Sequence, residues 1–167
     1  MDNLTFLIEY HYWAHSKVLQ QVSKVPAEDW DKDTGGSFPS LKALYQHLLG
    51  ADYRWLQRWK GVPIAEIPKH FVVDGYSSLD ALWRPQLEEM VVVAKQFLTT
   101  DAQQPVNFIT AKGLNVTQPF WQTLYQVVNH GTYHRGQATN ILRILNCQPV
   151  MTDIFLFFIE KNQLKSE

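Results

Sequence analysis

Residues 120–146 read FWQTLYQVVNHGTYHRGQATNILRILN, and this stretch decides the fold class. Val127, Gly131, Ala138, Ile141 and Leu145 fall on one stripe at helical periodicity, which predicts an amphipathic α-helix from about Phe120 to Asn146. His130 and His134 are one turn apart in the middle of it, nearly in line along the helix axis and beside the apolar stripe. Both imidazoles can therefore reach one ion. Core packing or a surface coincidence produces the same spacing, so a metal site needs a third ligand from elsewhere. Gly131 and Gly136 leave room for a close approach to the helix.

Upstream of this helix, Val106 to Thr110 and Leu114 to Thr117 flank the turn Ala111-Lys112-Gly113 and read as two short strands of a hairpin. A short final helix occupies about Thr152 to Lys165. Near the start, Leu4, Leu7, Ile8, Val18, Leu19 and Val22 mark a helix from about Asn3 to Lys24, broken by Pro26 and by Glu28 to Ser37 with its Gly35-Gly36 pair. A second helix follows Ser37-Phe38-Pro39-Ser40, with Ser40 or Ser37 as its N-cap. It carries Leu41, Leu44, Leu48, Trp55 and Trp59 on one stripe, and Gly61-Val62-Pro63 stops it. The connection from Gly61 to Gly75 is long for a bundle and crosses from one end to the other. Ser78 followed by Asp80 opens a third helix reaching about Leu98, with Pro85 in its first turns. The sum is one all-α domain over residues 1–167: a four-helix bundle with a long crossover between helices two and three, a short β-hairpin before helix four and a short C-terminal helix.

With 167 residues, 46% of them hydrophobic and 13% aromatic, the chain can build one substantial core but not two. A net charge of -1 provides no broad attraction to nucleic acid or anionic lipid, so neither is expected as a partner. The single cysteine, Cys147, excludes an internal disulfide and suits a reducing compartment. Met1 to Glu9 mixes polar and apolar residues, unlike a secretory leader, and the apolar run Ile154 to Ile159 is far too short to span a membrane. A cytoplasmic protein is expected. There is no glycine-rich phosphate loop, no G-x-S-x-G and no H-E-x-x-H.

His47 is the natural third ligand, mid-helix on the flank of the Leu44, Leu48 and Trp55 stripe; a buried histidine bonded to backbone or a tyrosine is the plainer reading. His11 and His15 form a rival pair with the same spacing, inside the apolar stripe of the first helix. They read as ligands, as supports behind the ligands, or as core residues beside a polar cavity. Spacing alone does not separate the two pairs.

The run His130-Gly-Thr-Tyr-His134-Arg135-Gly136-Gln137 resembles the H-x-x-x-H-R-G-Q signature of the DinB/YfiT-like family of metalloenzymes. Tyr10-His11-Tyr12-Trp13-Ala14 is similar to that family's first-helix Tyr-x-x-Trp-Ala segment, and Leu44 to Leu49 to the segment carrying its first histidine. Pro149, Asp153 and the apolar run beyond resemble its closing helix. The resemblance implies a four-helix bundle in which His47, His130 and His134 hold one divalent ion, usually zinc or nickel, and in which many members are homodimers. Characterised members include thiol-dependent transferases and isomerases, in which a low-molecular-weight thiol binds the metal as thiolate. This chain has His15 where the family often has Asn.

Three neutral imidazoles leave a dication's charge uncompensated and a coordination position open, the arrangement of a catalytic rather than a structural site. Such an ion lowers the pKa of a bound water toward neutrality or deprotonates a bound thiol. The expected function is a metal-dependent S-transferase or hydrolase acting on a small-molecule thiol or electrophile. The alternative is a non-catalytic dimer that binds metal or a small ligand, for example in stress response. Gln137 can orient a ligand or substrate; Arg135 points away from the histidine line toward a salt bridge or dimer contact. Asp52 lies too far round its helix from His47 to act as a base. Tyr12, Trp13 and Tyr133 read as packing, and Cys147 as a buried or incidental thiol. Tyr53 to Trp59 and Phe155 to Phe158 read as core or dimer interface, and an exposed apolar face on the last helix would be a partner surface.

Overall fold

The apolar stripes build four long helices in the computed structural model, which describes residues 4–164. They are α1 (Thr5–Val22), α2 (Leu41–Trp59), α3 (Tyr76–Thr100) and α4 (Phe120–Ile144), followed by a short α5 (Ile154–Gln163). Strands β1 (Pro105–Ile109) and β2 (Asn115–Pro119) form an antiparallel hairpin directly before α4. The expected all-α bundle, crossover, hairpin and final helix are all present. An expected helix start at Asn3 and end at Lys165 lie outside the described residues.

Local chemistry sets the element ends. Of the two candidate caps for α2, Ser40 is the one used: its side chain accepts the Ala43 N–H at 3.3 Å. Ser78 does not open α3 but sits in its first turn, where Oγ accepts the backbone N–H of Asp74 and Gly75 at 2.9 and 3.2 Å. Because α3 begins earlier than expected, Pro85 stands inside the helix rather than in its first turns. There it deprives the Ala81 carbonyl of a helical donor. The hairpin strands also shift against expectation. Thr110 and Leu114 belong to the turn, closed by Thr110 N–H to Leu114 O and Gly113 N–H to Thr110 O, both 2.9 Å.

α1 packs on α3 and α4, and α2 packs on α3 and α4, giving a square of four. Glu9–Lys95 and the His15–Trp83 ring contact run α1 antiparallel to α3. Tyr45–Trp83 and Lys60–Glu89 make α2 and α3 parallel. His47–His134 and Trp59–Thr123 make α2 and α4 antiparallel. The crossover produces the parallel pair by returning along α2. Ile67 lies so close to Gly50 that a Cβ there would run into its Cδ1. Further on, the Gln46 side chain donates to Phe71 O at 2.7 Å and accepts from Val73 N–H at 2.8 Å.

The core is aliphatic with large aromatics at its centre: Trp83, Tyr45 and Phe120 are fully enclosed. α5 lies against α1 through buried Phe157, with Tyr10 Oη donating to Thr152 O at 2.9 Å and the Trp13 indole to Glu160 at 2.8 Å. Its other side exposes Phe155 and Ile159, while Phe158 rests its ring on Phe6 of α1 at 5.4 Å. Among the described residues no helix is long and apolar enough to cross a membrane.

Candidate metal centre

His47 is on the outer flank of α2, facing His130 and His134 on antiparallel α4. Their Nε2 atoms converge: His47 to His130 is 3.3 Å, His47 to His134 3.2 Å, and His130 to His134 3.0 Å. A neutral imidazole Nε2 is either a bare acceptor or a protonated donor. Three atoms in mutual contact cannot all be paired donor to acceptor, because one edge of the triangle always joins two of a kind. A cation shared by three lone pairs would resolve this. Tetrahedral ligands on bonds of roughly 2.0–2.1 Å are about 3.3–3.4 Å apart, close to the spacing found.

Gln137 fixes one ring. Its Oε1 lies 2.6 Å from His134 Nδ1, so Nδ1–H donates outward and the Nε2 lone pair faces the other histidines. Sequence reading gave Gln137 a ligand-orienting role; its contact is with His134 itself. Phe38, from the loop before α2, packs against His47 and His134 with ring centroids at 5.0 and 5.5 Å. Periodicity carries no hint of that loop aromatic. The site grades from buried His134 through half-buried His130 to exposed His47, so it opens to solvent along the seam between α2 and α4.

Two of the rings, His130 and His47, are poised neutral. Burial, then the neighbouring His134, pushes His130 down to about 4, with Asp52 opposing. His47 is lowered by partial burial, His134 and Arg54. Neutral imidazole is the form that offers a lone pair at pH 7.

The rival pair is separate and deeper. His11 and His15 are fully enclosed within the bundle, joined there by Asp52 of α2. Asp52 accepts the Trp83 indole N–H at 2.9 Å, and its Oδ2 is 3.7 Å from His11 Nε2. Asp52 thus belongs to this second cluster, as its angular distance from His47 allows. Gly131 makes the close approach possible: an added Cβ would lie 2.8 Å from His11 Cε1 and from His15 Nε2. Gly136 has no such neighbour and plays no equivalent part.

Two expectations are corrected. Arg135 makes neither a salt bridge nor a surface contact among the described residues: it is 3% exposed and donates to Tyr10 Oη at 3.0 Å, Thr132 Oγ1 at 2.8 Å and His15 Nε2 at 3.3 Å. One residue past His134 on a helix, its side chain swings from the seam to the α1 side. Tyr133 is not packing but 63% exposed, its ring edge against His134. Tyr12 and Trp13 are half-buried against the core, and Cys147 is a half-buried free thiol beyond α4.

The DinB family model matches residues 1–163. The chain is 23% identical over 172 residues to Protein DinB of Bacillus subtilis (strain 168), covering 98% of this chain and 99% of that protein. The crystal structure of a DinB-like protein from Bacillus cereus ATCC 10987 superimposes with a TM-score of 0.63 at 18% identity, covering 87% of this chain and 94% of the other. At that identity the likeness is one of fold.

Proposed function

The chain belongs to the DinB family, and we propose that it is a cytoplasmic metal-dependent enzyme, holding one zinc or nickel ion on His47, His130 and His134. Its reaction is transfer or hydrolysis at a small electrophile, using a low-molecular-weight thiol or water. The supporting observation is the Nε2 triangle, whose three edges cannot all be hydrogen bonds.

When bound, a dication supplies Lewis acidity that makes a thiol or water nucleophilic near neutral pH. The chain does the rest. Gln137 holds His134 in the tautomer that presents Nε2. Burial keeps His130 unprotonated. Phe38 covers the His47 and His134 rings on the loop side, excluding water there, while exposed His47 marks the side from which substrate enters. The protein ligands number three, and that favours chemistry over a closed structural site.

The test is elemental analysis of purified protein beside His47→Ala and His134→Ala, followed by assays of thiol consumption with electrophilic acceptors. Metal in the parent, and one equivalent fewer in each variant, is expected. A parent without metal overturns the reading; metal without turnover reduces it to a binding module. A homodimer completes the proposal. Exposed Phe155 and Ile159 on α5 support it, and light scattering of a Phe155→Ser/Ile159→Ser variant should show a monomer.

A further inference from the structure

His11, His15 and Asp52 are unexplained by the centre described above. All three are buried: 0%, 1% and 1% exposed. Each brings a ligating atom within 4.8 Å of the other two. Among the described residues neither ring nitrogen of His11 has a hydrogen-bond partner. A buried imidazole with both nitrogens unmet is costly, and native interiors satisfy almost all such groups. Asp52 Oδ2 is too far from His11 Nε2 for a hydrogen bond at 3.7 Å, yet near enough for both atoms to share an ion.

We propose that His11, His15 and Asp52 form a second metal site, taking a divalent transition ion on two imidazoles and one carboxylate. The ligands resemble those of open first-row metal sites: a His pair one helical turn apart, with an acid from a facing helix. The ion gives His11 the partner it lacks and adds to what the Trp83 indole N–H and the nearby Arg135 charge already do for buried Asp52. Gly131 supports this reading: the chain gives up a side chain there and the two rings occupy the space against α4. Arg135 opposes it. Its guanidinium approaches His15 Nε2 at 3.3 Å, and no carboxylate among the described residues pairs with it. The second ion is therefore bound more weakly than the first, and it competes with that long Arg135 contact while Tyr10 and Thr132 retain theirs.

The test is equilibrium dialysis of chelator-stripped protein against Co²⁺, with anomalous scattering at the cobalt edge to place the ions. The proteins are the parent, a His47→Ala/His134→Ala variant, His11→Gln, and Asp52→Asn, which keeps an oxygen for the Trp83 indole. Thermal unfolding checks that each variant is folded. Two equivalents in the parent, the second weaker, and one in every variant is expected. A single equivalent that survives His11→Gln and Asp52→Asn but vanishes with His47 and His134 overturns this proposal and leaves the first site standing. A single equivalent lost in His11→Gln yet kept in the His47/His134 variant upholds it and overturns the first site. No binding in the parent overturns both.

Discussion

Gly131→Ala and Gly136→Ala are the same substitution five positions apart on α4, and they should move stability in opposite directions. At Gly131 the added methyl meets His11 Cε1 and His15 Nε2 at 2.8 Å and His11 Nδ1 at 2.9 Å. The rings have little room to retreat: they pack on each other at 4.4 Å, and His15 packs on Trp83 at 4.6 Å. Overpacking of this kind costs about 1–3 kcal/mol, and three simultaneous contacts on enclosed rings place it at the upper end. Alanine recovers about 1 kcal/mol of helix propensity, leaving a net loss of about 2 kcal/mol. For a chain of 167 residues that lowers Tm by about 4–8 °C. At Gly136 nothing lies within 4 Å of the new Cβ, so the propensity gain stands alone and Tm rises by about 2–4 °C. Urea titration and calorimetry on chelator-treated protein measure both. A Gly131→Ala protein as stable as the parent, or a Gly136→Ala protein that loses as much, refutes the placement of α1 against α4.

Three more outcomes follow. Unfolded His130 takes up a proton near its ordinary value of about 6.5, whereas the folded ring waits until about 4. Between those values the unfolded chain holds more protons, so the metal-free protein should lose stability as pH falls from about 6.5 to about 4. His47 and His15 are shifted the same way, and denaturation midpoints that stay flat across that window contradict this. Gln137→Leu removes the acceptor on His134 Nδ1 and should weaken metal affinity by about 10–100-fold in chelator competition. Unchanged affinity would show that the ring needs no such hold. Thr123→Val strips the Trp59 indole of its buried acceptor at 2.9 Å and should cost about 1–3 kcal/mol in urea denaturation, Thr123→Ser much less.

The bundle was legible because each helix carries its own stripe, and His47 because it flanks one of them. The burial of His11 and His15 could be read the same way. Asp52 could not, since what allows a carboxylate into that core is the Trp83 indole of α3, 31 positions away. Arg135 escaped for a similar reason: Tyr10 and His15 lie 125 and 120 positions from it. The two glycines of the helix-four motif are alike in sequence, and only the packing of α1 distinguishes them. Ser78 has the composition of a cap, yet it reaches back to the Asp74 and Gly75 amides from inside the first turn. Burial partners of that range leave no periodic trace, and a capping side chain serves from more than one position.

Because α2 and α3 run parallel, the order in which the ribosome releases the chain matters. α1, α2 and α3 can meet as soon as α3 has emerged, but α1 and α2 each wait with one apolar side uncovered until α4 is made. The histidine triangle spans 83 and 87 positions and cannot close before then. At about 5–20 residues per second that delay lasts seconds. During it those apolar sides stay open to solvent, and of the triangle only the His47 corner has been placed.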